Sequence, residues 1–252
     1  MNILFASSPL PLASLSSLTV SFRQSDAIGQ SIIFVLIAMS IAAWSIMISK
    51  WMELKKTLVL ARQFQEAYGR QDQPFALFAA KKRFMASPLF TIYLAAAKEA
   101  SFIASEAGHT LESPGGGSLQ PTLRFSGSQM DIIRRAADRA CSDQALMLEE
   151  KMPLLAISIT AAPFLGLLGT VWGVLDAFVN MASSFGGALL SAVAPGISGA
   201  LLTTVVGLFV ALPSSIGYNL IVTDIKRMCV TMDCFSDELM ADLQSTYARR
   251  EV

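Results

Sequence analysis

The stretch Met152-PLLAISITAAPFLGLLGTVWGVLDAFVNMASSFGGALLSAVAPGISGALLTTVVGLFVALPSSIGYNLIV-Thr223 holds a single charged side chain, Asp176. It is too long for one crossing of a hydrocarbon core about 30 Å thick, and it suits two. The natural break falls between Asn180 and Gly187, where Asn, Ser and Gly-Gly supply turn chemistry. Upstream, the run from Ala27 to Ser49 carries no charge at all. As a helix it would extend roughly 35 Å, enough for a third crossing. The spans are therefore expected at 28–49, 153–178 and 189–222. The fold class that follows is an all-α membrane protein with three transmembrane helices, and the lipid bilayer is its first partner.

Composition agrees. Of 252 residues, 53% are hydrophobic and only 15% charged, with a mean hydropathy of +0.53. An ordinary soluble domain carries about a quarter charged residues. Lys plus Arg and Asp plus Glu number 19 each, so no net charge points to nucleic acid. Cys141, Cys229 and Cys234 lack metal-ligand spacing, and one histidine, His109, cannot complete a zinc site with them. There is no His pair and no serine elbow, and Gly166-Leu-Leu-Gly-Thr-Val-Trp-Gly173 lacks the lysine of a phosphate-binding loop. The expectation is a non-enzymatic protein with no catalytic residues, cofactor or metal.

Basic residues set the orientation. Arg23 alone precedes the first span, whereas Lys50, Lys55, Lys56 and Arg62 follow it, and Lys226 and Arg227 follow the third. The positive-inside rule then puts residues 1–27 and the loop 179–188 outside, with 50–152 and the tail 223–252 in the cytoplasm. The start of the chain, from Met1 to Ser25, reads either as a segment on the membrane surface or as a disordered tail, and no signal cleavage is expected. Within 50–152, helix formers dominate, and long helices are expected to extend from the spans into this region. Residues 109–128, rich in Gly, Ser and Pro, read as a flexible insertion. Beyond it one helix is expected to start near Gln129 and run into the second span. Lys81-Lys82-Arg83 reads as a solvated helix end rather than a headgroup contact.

Two helix faces are unusual. At 100° per residue, Gly166, Thr170, Gly173 and Ala177 fall within about 60° on the second span. Gly196, Ala200, Thr203, Gly207, Ala211 and Ser214 form a matching stripe on the third. Small residues let membrane helices approach closely, so packing is the first reading of the glycines and alanines. A second expectation is that the third-span stripe lines a central cavity of an oligomer. Replacing Ala200 or Gly207 with Leu should then disturb partner docking more than expression. The hydroxyls of Thr170, Thr203 and Thr204 either bond carbonyls one turn earlier or face water that moves protons. Asp176 stands toward the far end of its helix, on the wet outer side. No carboxylate falls near the membrane middle, so any titrating group there must come from another chain.

The segment Ala162-Pro-Phe-Leu-Gly-Leu-Leu-Gly-Thr-Val-Trp-Gly173, then Ala194-Pro-Gly-Ile197, then Gly207-Leu-Phe-Val-Ala-Leu-Pro213 with Tyr218-Asn219, resembles the TolQ/ExbB/MotA proton-channel family. The first span, Ser40-Ile-Ala-Ala-Trp-Ser-Ile46, looks more like the TolQ branch, and the insertion at 109–128 falls outside the resemblance. The resemblance implies a bacterial inner-membrane subunit with a periplasmic N-terminus and a cytoplasmic C-terminus. It implies a ring-forming homo-oligomer, five copies in the family, around a TolR/ExbD-like single-span partner whose aspartate carries protons. Proton flow would then energise a TolA/TonB-like protein reaching toward the outer membrane. Family pore threonines map onto Thr170 and Thr204, with Thr203 an additional hydroxyl nearby. Gly166, Gly173, Gly196, Gly199, Ala200 and Gly207 would line or pack the pore. After Ala-Pro-Gly-Ile the family pattern is Ala-Glu-Ala-Leu, whereas this chain has Ser198-Gly199-Ala200-Leu201, so the membrane glutamate is replaced by Gly199. That departure leaves a non-conducting helical scaffold of the same fold as the alternative.

Overall fold

A computed structural model describes Phe22 and residues 26–71, 73–79, 84, 87–106, 124–183 and 189–247. Most of the N-terminal segment, Lys81-Lys82-Arg83, the greater part of 109–128 and residues 184–188 of the expected 179–188 loop lie outside the described residues. The helices follow in order: α1 (Ala27–Tyr68), α2 (Ala76–Ala79), α3 (Pro88–Glu106), α4 (Gly127–Glu149), α5 (Met152–Ser183) and α6 (Leu189–Tyr247). Among the described residues three helical stretches, within α1, α4–α5 and α6, are long and apolar enough to cross a membrane.

The single helix expected from Gln129 into the second span is instead two. Helix α4 starts with a capping box: the Ser126 hydroxyl accepts the Gln129 N–H, and the Gln129 amide oxygen accepts the Ser126 N–H. It stops at Glu149, and Lys151 takes a left-handed φ of 70°. The cause lies in Pro153, which has no N–H for the Glu149 carbonyl and whose ring would strike it, yet fits the first turn of a new helix. At the other end of α5 the helix runs through Asn180 to Ser183, past the expected start of the loop. Asn180 donates to Asp176 one turn back at 2.9 Å, which suits helix rather than turn.

The chain divides into two units, and α1 and α6 contribute to both. The first comprises residues 1–48 and 151–219. Its core joins Ile32 and Leu36 of α1, Ala162 of α5, and Val210 and Ala211 of α6, with Met39, Leu165 and Val206 packed around them. Its other faces are bulky and bare: Phe34, Ile41 and Trp44 on α1, Phe164, Val171 and Phe178 on α5, and Val205, Phe209 and Leu212 on α6 are all exposed. In water such a surface would aggregate, whereas in a bilayer it needs no cover.

The second unit comprises residues 49–150 and 220–252. Its centre is aromatic. Phe64 sits 5.4–5.7 Å from the rings of Phe84, Phe90, Tyr93 and Phe235. Two polar tips within it find partners: Tyr68 donates to Asp242 at 2.8 Å, and the Tyr93 hydroxyl accepts the Phe78 N–H at 2.9 Å. Lys50 is only 2% exposed and works inside this unit. Its ammonium pairs with Glu53 at 3.1 Å and donates to the Met147 carbonyl at 3.3 Å, which also accepts the Glu150 N–H where α4 ends.

Cys141 is buried on α4, its thiol donating to the Met232 carbonyl at 3.8 Å. Burial, then the nearby Asp233 and Asp138 carboxylates, push that thiol up to about 11. At pH 7.5 it therefore holds far less thiolate than an ordinary cysteine. Maleimide should modify exposed Cys234 first, with Cys141 slower by about two orders of magnitude. Peptide mass spectrometry after timed alkylation reads this directly, and equal rates would contradict the buried placement.

Candidate functional site

The site is built where α5 and α6 meet, inside the first unit. Glycines make the approach close. A Cβ on Gly207 would stand 2.6 Å from the Ala162 carbonyl oxygen, and one on Gly166 would stand 2.9 Å from the Thr204 Cα. A Cβ on Gly173 would meet that of Ala200 at 2.7 Å, and Gly196 faces Ala177. The two small-residue stripes therefore face each other within one chain. The expectation that the α6 stripe lines a central cavity is corrected on this point: α5 of the same chain already covers Ala200 and Gly207. Their substitution should damage the fold before it touches any partner.

Gly169 escapes the sequence reading. The stripe read from spacing takes Thr170, yet Gly169 lies against the Thr203 side chain, where any Cβ would collide. The spacing Gly166, Gly169, Gly173 holds that signal.

Two threonines of α6 share one carbonyl of α5. Thr204 donates to the Gly166 oxygen at 2.9 Å. Thr203 shares its one hydroxyl proton between the same oxygen, at 3.0 Å, and the Ala200 oxygen, at 2.7 Å. One turn along α5, Thr170 donates to the Leu167 carbonyl at 2.7 Å. Thr203 is fully buried, so its hydroxyl ties the two helices together. Thr170 and Thr204 are half-buried, at the edge of the contact. Their protons are engaged, but a hydroxyl oxygen keeps lone pairs that can accept from water or a hydrated proton. Donation onward requires only that the hydroxyl swing off its carbonyl.

Toward the other end of this contact lies a cavity of about 30 Å³, lined by Asp26, Gly29, Gly169, Trp172, Gly173, Asp176, Gly196, Gly199 and Ala200. It can hold a water molecule. The Trp172 indole N–H points to the Asp26 carboxylate at 3.4 Å, fastening the start of α1 to α5. Gly199 thus shares a cavity with Asp176 and Asp26, which are the charged side chains between 26 and 48 and between 152 and 219. Neither the Asp26 contact nor this grouping is legible from spacing, because both depend on how α1 docks.

An interface of this kind, membrane-embedded, glycine-packed and edged by hydroxyls, is that of closely packed helices in a multi-pass membrane protein. The sequence profile of the MotA/TolQ/ExbB proton channel family matches residues 109–234, so the insertion at 109–128 lies inside the matched range, not outside it. The Tol-Pal system protein TolQ of Haemophilus influenzae is 30% identical over 200 residues, which cover 79% of this chain and 81% of that protein. The biopolymer transport protein ExbB of Xanthomonas campestris pv. campestris strain B100 is 31% identical over 217 residues, 84% of this chain and 80% of that protein. TolQ of Pseudomonas aeruginosa is 38% identical over 114 residues, covering 45% and 49%. The chain belongs to the MotA/TolQ/ExbB proton channel family. It is a multi-pass inner-membrane protein, a subunit of proton-channel systems of the Tol-Pal and ExbB kind.

Proposed function

We propose that this chain forms a homo-oligomer, a pentamer by the family's pattern, around a TolR/ExbD-like single-span partner, and that proton flow through the assembly energises a TolA/TonB-like protein across the periplasm. The proton path runs past Thr170 and Thr204. The observation that carries this reading is the pair of half-buried hydroxyls on neighbouring helices, at a depth where this chain has no carboxylate. A partner's acid would supply the group that binds and releases the proton. The test is a pH-sensitive dye in liposomes holding chain and partner under an imposed gradient, with copies counted by native mass spectrometry. Flux that needs no partner would sink the division of labour.

The N-terminus is proposed to be periplasmic and the region 50–152 cytoplasmic, on the strength of Lys50 to Arg62 and Lys226-Arg227. An introduced cysteine near Ser118 should resist a membrane-impermeant reagent in intact cells, and its labelling would reverse the topology.

One observation favours a second reading. Gly199 leaves a water-sized cavity where the family pattern has a glutamate, which suits a scaffold that has lost conduction. The same liposome assay separates the two, since a scaffold would assemble with the partner and pass no protons.

A further inference from the structure

The outward face of α1 just beyond the first span combines a cation stacked on one aromatic ring with exposed apolar side chains. Trp51, Met52 and Val59 are each about half exposed, and Lys55 and Lys56 are exposed beside them. At 100° per residue, Trp51, Met52, Lys55 and Val59 fall within about 100° of one another. The opposite face is spent on the unit's interior, with Leu54, Ala61 and Phe64 buried.

The Lys55 ammonium lies 3.8 Å from the centre of the Trp51 ring, well inside cation–π range. Glu53, the nearest acid in sequence, is held by the buried Lys50, so it does not neutralise Lys55. Depth matters as well. The charge-free run ends at Ser49. Helical side chains lean toward the N-terminus, which brings the Lys55 charge back one turn to the level of Trp51, about 3 Å past that end. The headgroup layer on one side of a bilayer is roughly 5–8 Å deep. The ammonium therefore stands within it, on a ring of the type that favours that layer.

We propose that this face binds the headgroup of an anionic phospholipid, with the phosphate against Lys55 and Lys56 and the glycerol and upper chain against Trp51 and Met52. The occupant is committed by charge: a cation at headgroup depth beside apolar side chains matches an acidic lipid better than a zwitterionic one. The proposal rests on the first span being a membrane span and not on proton conduction, so its test reads no flux.

Purified full chain in mild detergent is offered phosphatidylglycerol or phosphatidylethanolamine with identical acyl chains, and retained lipid is counted by native mass spectrometry. The wild type should retain phosphatidylglycerol preferentially. Lys55→Gln should lower that retention about fivefold, the factor corresponding to about 1 kcal/mol per basic residue at an anionic surface. Lys55→Arg, which keeps a cation able to stack on the ring, should restore most of it. Lys98→Gln, an exposed lysine on α3, should change nothing. Equal retention of the two lipids, an unaffected Lys55→Gln, or an equal loss with Lys98→Gln would overturn the proposal. So would efficient disulfide formation between copies carrying Lys55→Cys, because a second chain would then cover this face.

Discussion

The double variant Thr170→Val with Thr204→Val is expected to reduce proton flux to the level seen when the partner's acid is removed, while the protein still folds and assembles. Valine matches threonine in shape, so the packing between α5 and α6 is kept. Each replacement takes away one oxygen that can receive a hydrogen bond from a hydrated proton, and a lost bond to a charged species slows passage about tenfold or more. The hydroxyls are also bonded to carbonyls at Leu167 and Gly166, but both stand half-buried at the edge of the contact, and the Gly166 oxygen keeps the Thr203 hydroxyl. Thr203→Val is the internal control. That hydroxyl is fully buried and bridges two carbonyls, so its removal should lower thermal stability and leave flux per assembled complex near normal. Asp176→Asn should be milder than the double variant, because the carboxylate stands toward the C-terminal end of α5, bonded to Asn180. The liposome dye assay compares these three variants with the wild type. Full conduction in the double variant together with none in Asp176→Asn would place the path through the cavity shared by Asp26, Asp176 and Gly199.

Gly207→Leu is expected to abolish recovery of folded protein from the membrane, and Gly207→Ala to cost about 1–3 kcal/mol, lowering the melting temperature by several degrees. The reason is that the new atom meets the backbone carbonyl of Ala162 at 2.6 Å, and backbone inside two packed helices has nowhere to go. Gly217→Ala makes the comparison sharp. Its new methyl would meet the end of the Met47 side chain, which is flexible and can step aside, so that variant should melt close to wild type. Scanning fluorimetry in detergent measures both. Equal melting of the two alanine variants would mean that α5 and α6 are not held as tightly as the glycines indicate.

The three spans are legible because charge is excluded from hydrocarbon so strongly that its absence leaves a plain record, from Ala27 to Ser49 and, Asp176 aside, from Met152 to Thr223. The stripes on α5 and α6 are legible too, as spacing. What spacing does not carry is the direction in which a stripe looks. A face of Gly, Ala and Thr suits a pore, a partner or a neighbouring helix equally, and only the docking of α6 on α5 decides among them. The break at Lys151 stays hidden for a related reason. Helical composition continues through it, and Pro153 is acceptable inside a membrane helix or at the start of a new one. Lys50 counts in the sequence as one more positive charge marking a membrane edge, whereas the fold turns it inward to Glu53 and Met147.

The close contact between α5 and α6 also bears on how this sequence can drift. Gly166, Gly169, Gly173, Gly196 and Gly207 each answer to a particular opposing atom, so a change at one of them requires a matched change on the other helix, and single substitutions there have few acceptable outcomes. The outward faces, with Phe164, Val171, Val205 and Phe209 exposed, ask only for apolar bulk. A saturation survey of the chain should therefore divide these two helices lengthwise, one half intolerant of any added carbon and the other accepting Leu, Ile, Val, Met or Phe almost interchangeably.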